Sequence, residues 1–569
     1  MSFPPEYLTH FERSNFLESP NYDETMKYFS LFEETGKAEM FTFGVSPQGR
    51  ELKFLVVGKD KDFSPQAARA NGKVVVLIQN GIHAGEIEGN DACMLMLREM
   101  LISGELAHLL DHLVLVILPI LNVDGHARTS PYNRPNQNGP ANMGWRTTSW
   151  NLNLNRDYMK ADAPEMKALL QLYTSWQPDF YIDNHTTNGA DYQYHLTYAI
   201  ETHQNIDAGL ASWGRDKLMP HVVRQVESSG FMIAPYLEMK GEHLHEGFTD
   251  WAMLPRFSSG YAALQNRVLL LVETHSLKPF ENRVHSTKEI NTAALDYMNT
   301  HYKELRDANY FADVNTVHEF RHERRPFPLV LEGLDEAEPF HFKGVASKEV
   351  ESSITGSVVT RYSHTPADCD LPFYSRTEVK VHVDVPFAYA IPREFAHLVD
   401  IMRLHGIEVK EMREGETLDV ERYKFVEVEF AARPYEGRQR VECGVEKVIE
   451  ESYLPAGTFI VYTQQRTLRV IMNLLEPEAP DSFVSWGFFN AFFERKEYAE
   501  PYIMEPIAQK MLDDDPRLQA EFDARIANDD AFADDPAKRL NFFYERSPYF
   551  DKAERVYPIV RLPDRRDYV

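Results

Sequence analysis

The chain has 569 residues, room for two to four domains and a large core, and its apolar fraction of 43% is ordinary for a globular protein. A formal net charge of −27 leaves no basic stripe to neutralise phosphates and argues against nucleic acid as a partner. Three widely spaced cysteines, Cys93, Cys369 and Cys443, exclude a disulfide framework or a cysteine zinc site, and there is no apolar run of about 18 residues to span a membrane.

Residues 1–6 carry neither a basic n-region nor an apolar h-region. This predicts a cytoplasmic location for the chain as given, or export if a signal has been trimmed. A surface helix is expected over 24–36, then a Gly/Pro turn at 44–50 and a strand over 51–57. Val74-Val75-Val76-Leu77-Ile78-Gln79 reads as a short buried strand and 92–100 as a helix. Between them lies Asn80-Gly81-Ile82-His83-Ala84-Gly85-Glu86. A strand-to-helix turn falls at the carboxyl edge of an α/β sheet, where ligands bind. An imidazole and a carboxylate three residues apart can reach one divalent ion there. The His-x-x-Glu spacing alone is weak, because it recurs at His243/Glu246, His301/Glu304 and His405/Glu408.

The run 113–119 is a second strand buried on both faces, and strand-helix-strand alternation of this kind indicates a βαβ sheet. Asn122-Val123-Asp124-Gly125 ends it. A loop of about thirty residues follows, from His126 to Asp157, and unstructured loops of this length are usually functional. It carries Trp145-Arg146 and Asn153-Leu154-Asn155-Arg156-Asp157. A helix near 164–173 and a strand at 179–183 come next, with His185 just past the strand end. A further buried strand at 268–272 ends on Glu273. A single helix over 287–312 is expected to close the first domain.

Beyond residue 318 the pattern changes. Val379, Val381, Val383 and Val385 alternate with polar residues, as do Val426, Val428 and Phe430. Period two with one polar face predicts antiparallel strands. Ser485 to Phe489 reads as an aromatic packing cluster. From Asp513 the chain becomes acidic and helical. The expected domains are therefore 1–317, α/β with a mixed sheet flanked by helices; 318–510, β-rich; and 511–569, an acidic helical segment.

Taken together, Gly81-Ile82-His83-Ala84-Gly85-Glu86, Asn122-Val123-Asp124-Gly125, Asn153-Leu154-Asn155-Arg156, His185 and Glu273 resemble the zinc carboxypeptidases of the M14, carboxypeptidase A-like, family over roughly residues 40–300. The motif around Glu273, Val272-Glu273-Thr274-His275-Ser276, looks like that of bacterial members with long C-terminal extensions. The resemblance implies one zinc ion per chain, held by His83, Glu86 and His185, that activates a water. It implies Glu273 as proton shuttle, Arg146 as oxyanion stabiliser, and Asn155 and Arg156 as the grip on a substrate carboxylate. Two positions depart from the family. Asn153 stands where an aspartate often supports the first zinc histidine, with Asp183 as candidate replacement. Tyr261, the candidate for the family's mobile substrate-binding tyrosine, lies nearer Glu273 than expected and also reads as a packing residue.

The implied activity is a zinc metallocarboxypeptidase acting on peptides with a free carboxylate. A zinc amidohydrolase acting on N-acyl amino acids would use the same groups, and a non-catalytic binding protein on a peptidase fold is the third reading. No nucleic-acid or membrane partner is expected, and the sequence leaves oligomeric state open.

Overall fold

The computed structural model describes residues 4–569. Its centre is an eight-stranded mixed sheet. The strands are β1 (Ala38–Val45), β2 (Glu51–Val57), β3 (Val74–Gln79), β4 (Leu113–Leu118), β5 (Phe180–Thr187), β6 (Leu196–Ala199), β7 (Ile233–Pro235) and β8 (Val268–His275). They lie in the order β1-β2-β4-β3-β5-β8-β6-β7. The inner strands β4, β3, β5 and β8 are parallel. Every residue of β3 and β4 is buried, as their unbroken Val/Leu/Ile runs require. All ligand-bearing turns of these strands therefore open on one edge of the sheet.

Helices cover the sheet. α1 (Glu88–Arg98) begins with Glu88 and Asp91 in its first turn, where acidic groups suit the helix dipole. α2 (Pro164–Trp176) starts on a proline, and α3 (Ser258–Leu264) is buried along its whole length. The closing helix expected over 287–312 is two helices, α4 (Phe280–Thr300) and α5 (Tyr302–Val317), broken at His301, whose φ of −109° and ψ of 26° are not helical.

After α5 the chain is dominated by antiparallel strands. β9 (Phe327–Gly333) pairs with β12 (Thr377–Val383), and β10 (Glu338–Glu351) pairs with β11 (Val358–Tyr374). Strands β13 (Ala388–Ile391), β14 (Glu416–Phe430), β15 (Val441–Leu454) and β16 (Phe459–Tyr462) belong to a six-stranded sheet. The chain between 501 and 544 is helical, and its aspartates have a local use: Asp515, Asp529 and Asp535 cap the helices that follow them. The last segment is not all helical, because β17 (Val560–Leu562) returns as an inner strand between β13 and β14.

The core ignores the boundary at 318. One hydrophobic cluster joins Leu154, Tyr158 and Tyr261 to Ile391, Leu398, Val399 and Leu468. Phe248 pairs with Phe373 of β11, so a strand from the first half extends a sheet of the second. No helix among the described residues is long and apolar enough to cross a membrane.

Candidate active site

At the carboxyl edge of the sheet lies a cleft of about 670 Å³. His83 and Glu86 sit in the turn between β3 and α1. That turn is tight because Gly85 faces the long loop: a Cβ there would lie 2.7 Å from the Gly144 carbonyl oxygen and 2.8 Å from Arg134 Cγ. His185 is inside β5, not past its end, and Glu273 is inside β8, directly paired with His185 across the parallel ladder. Both strands run further than their apolar stretches, because backbone pairing continues through the polar residues that line the cleft.

His83 Nδ1 and His185 Nδ1 both face Glu86 Oε2, at 3.0 and 3.1 Å. The ligand atoms of the three residues lie within 4.8 Å of one another, the only such His/Cys/Asp/Glu group found among the described residues. Each imidazole is oriented from behind through Nε2. For His83 the partner is Asn153 Oδ1 at 3.0 Å, and for His185 it is Asp183 Oδ2 at 2.8 Å. Asp183 thus does not replace the missing aspartate at 153: it lies on the same strand as His185 and serves that histidine, while Asn153 itself supports His83. Two Nδ1 atoms and a carboxylate with their far nitrogens restrained form a donor set suited to zinc.

Electrostatics agree with that reading. Burial pushes His83 down to about 4 despite the adjacent Glu86, so it is a neutral donor. Burial alone would raise Glu86, but His83, His185 and Arg134 outweigh it and hold the carboxylate well below its usual range. Burial would likewise lower His185, but Asp183 and Glu86 raise it well above the ordinary imidazole value. A cation at the cluster would take over the role of that proton. Glu273 is pushed up to about 8, chiefly by burial, with Glu86 and Asp183 adding to the rise and His185 opposing it.

Arg146, Asn155 and Arg156 line the same cleft as the metal cluster and Glu273. Arg146 Nη1 donates to Glu86 Oε1 at 3.1 Å. Asn155 Oδ1 accepts from Ser258 N at 3.0 Å, which ties the amide to the start of α3. Arg156 lies over the Phe257 ring, 4.2 Å from its centroid. Tyr261 is the one expected site residue that the structure removes. It is fully buried, packs on Tyr158, and its hydroxyl lies 3.1 Å from His405 Nδ1. It lies two to three residues further along α3 than the cleft-lining Ser258 and Ser259.

Two cleft residues carried no recognised signal. Arg134, in the long loop, donates to Glu86 Oε1 at 2.5 Å. Tyr236, just beyond β7, lines the cleft, and its phenol is raised by burial and by Glu273. Arg134 gives no periodicity to read, and Tyr236 follows a strand of only three residues.

Fold and cluster together place a group that could hold a metal ion at the edge of a mixed α/β sheet. Residues 31–230 match the family model Peptidase_M14, zinc carboxypeptidase. It is 23% identical over 497 residues to Carboxypeptidase 2 of Trichophyton tonsurans, covering 82% of this chain and 84% of that protein. A shorter match, 33% over 96 residues, joins it to human Carboxypeptidase A6, over 16% of this chain and 20% of that one. Among solved structures, the metallo-carboxypeptidase from Burkholderia cenocepacia aligns with a TM-score of 0.37 and 16% identity, over 49% of this chain and 69% of its own. Carboxypeptidase A from Helicoverpa armigera aligns with a TM-score of 0.36 and 16% identity, over 52% of this chain and 74% of its own. The family match and the curated relatives make the function class metallocarboxypeptidase and the metal zinc, and imply a peptide substrate with a free C-terminus.

Proposed function

We propose that His83, Glu86 and His185 hold one zinc ion and that Glu273, Arg146, Asn155 and Arg156 perform the hydrolysis of C-terminal peptide bonds. The observation that carries this reading is the meeting of all seven in one cleft, with Glu273 on the strand beside His185 of the metal cluster. When bound, zinc supplies Lewis-acid polarisation and makes water acidic enough to be a nucleophile near neutral pH.

The chain's own groups divide the remaining work. Arg156 and Asn155 bind the terminal α-carboxylate and so place the last peptide bond at the cluster. A planar guanidinium matches that carboxylate bidentately. Arg146 offers its donors to the carbonyl oxygen as negative charge develops there. Glu273 takes the proton of the attacking water at its carboxylate and returns it to the leaving amine nitrogen. The geometry favours neither the N-acyl amino acid deacylase nor the non-catalytic reading, and the complete set of groups argues against the latter.

The test is a pair of zinc-loaded variants on free-acid and C-terminally amidated peptides. Glu273→Gln should lower kcat by about 10²–10⁴ with zinc retained. Arg156→Ala should raise KM strongly for the free acid and narrow the gap to the amide. Near-normal kcat in folded Glu273→Gln would remove the shuttle, and unaltered discrimination in Arg156→Ala would remove the carboxylate grip.

A further inference from the structure

The turn joining β14 and β15 reaches from the β-rich half of the chain to the Asn153–Arg156 segment beside the cleft. Tyr435 and Arg438 pair across it, each donating its N–H to the other's carbonyl at 2.9 and 3.0 Å. The two central residues, Glu436 and Gly437, have φ of 48° and 76°. That is the geometry of a tight hairpin turn of type I′, in which asparagine and glycine are preferred and a glutamate is strained.

The strained residue and its neighbour each contact the site. Tyr435 Oη accepts from Arg156 Nε at 3.0 Å, and Glu436 Oε2 accepts from Asn153 N at 2.8 Å. Arg156 is thus held at three points: by Tyr435 at Nε, by the Asn155 carbonyl oxygen at Nη1 (2.6 Å), and by the Phe257 face. With Nε and Nη1 committed, the guanidinium plane is set and Nη2 remains for a ligand. Asn153 in turn supports His83.

The turn is itself braced. Tyr435 stacks on buried Trp486 with an interplanar angle of 14° and a centroid distance of 6.0 Å. Arg438 makes a two-point ion pair with Asp162, at 2.7 and 2.6 Å. These contacts anchor the hairpin to the rim of the catalytic half, next to the Asn153–Arg156 segment.

We propose that the Tyr435–Arg438 turn is a positioning element of the cleft, with Tyr435 setting the orientation in which Arg156 receives the substrate's terminal carboxylate. It assigns the β-rich half a task in substrate selection. The inference rests on the role given to Arg156 above.

The test is Tyr435→Phe in the full zinc-loaded chain, which deletes one hydroxyl and keeps the ring on Trp486. KM for a free-acid peptide should rise about three- to tenfold, kcat should stay within about twofold, and the amidated peptide should be unaffected. In an Arg156→Ala background the same substitution should add nothing, because the group it acts through is gone. An unchanged KM, an equal loss on both peptides, or a further loss in the Arg156→Ala background overturns the proposal. If Arg156→Ala keeps full discrimination, the carboxylate-grip reading fails and this inference falls with it. If Arg156→Ala loses discrimination while Tyr435→Phe does not change KM, only this inference fails.

Discussion

The two imidazoles proposed to hold the metal are supported by chemically different groups, and exchanging those groups should move zinc affinity in opposite directions. Asp183 divides its oxygens: Oδ1 accepts from Gln79 Nε2 at 2.8 Å, and Oδ2 faces His185 Nε2 at 2.8 Å. Asparagine has a single acceptor oxygen, so in Asp183→Asn the amide must turn its NH₂ toward one of two donors. The variant loses both the charge that makes His185 basic and one of the restraints on its ring. Support of this kind is worth about 10–100-fold in metal affinity, or about 1.4–2.7 kcal/mol.

Position 153 is the reverse case. Asn153 Oδ1 accepts from Asn155 N and faces His83 Nε2, both at 3.0 Å. An aspartate keeps both contacts and adds a charge behind His83. The Glu436 carboxylate on the same residue's N–H, at 2.8 Å, repels that charge and offsets part of the gain. Asn153→Asp should therefore tighten zinc by about two- to fivefold, at the low end of such effects. Competition of the metal-free proteins with a zinc chelator measures both constants, and their metal-free melting curves control for misfolding. An unchanged dissociation constant in folded Asp183→Asn, or weaker binding in Asn153→Asp, would refute the account of how the imidazoles are held.

Three further outcomes are expected. Glu165 is lifted to about 7 by burial, with Asp124 and Asp157 adding to the rise. Its folded value exceeds the unfolded one near 4.5, so the stability it contributes is complete below that pH and is lost as pH rises through about 7. Glu165→Gln should therefore gain on the wild type over that window, by up to about 3 kcal/mol at pH 8; parallel melting curves against pH would contradict this. A Cβ on Gly89 would lie 2.2 Å from Asn80 Oδ1 and 2.6 Å from Asn184 Cβ. Gly89→Ala should cost about 1–3 kcal/mol in denaturant unfolding, and a neutral result would mean that α1 can shift away from β5. A chain ending at residue 317 should not melt cooperatively, since its Leu154, Tyr158 and Tyr261 lose the Ile391, Leu398 and Leu468 side of their core. A soluble, cooperatively melting fragment would show that the shared core is dispensable.

Much of the catalytic edge was legible because its signals are local. β3 and β4 announce themselves as continuous apolar runs, and His83 and Glu86 share one turn with small residues between them. Strand ends at the edge of a parallel sheet must converge, which brings His185 and Glu273 to the same place. The alternating valines of β12 and of β14 likewise state their own period. Where the reading stopped short, the missing information was non-local. The polar ends of β5 and β8 are strands because they pair with each other, and that of β8 with β6 as well. The break at His301 depends on backbone angles that helical periodicity does not report.

The sequence by itself determined the chemical inventory: which donors, acids and guanidinium groups exist, and which strands and turns carry them. Tertiary structure decided how those groups are partnered. It gave Asp183 to His185 and Asn153 to His83, turned Tyr261 into the core through the pitch of α3, and brought Arg134 onto Glu86. It also placed Tyr435 on Arg156 and Glu436 on Asn153, the last pair 283 residues apart along the chain. Such contacts leave no local trace because a side chain's partner is set by packing across the fold, and packing is a property of the whole chain.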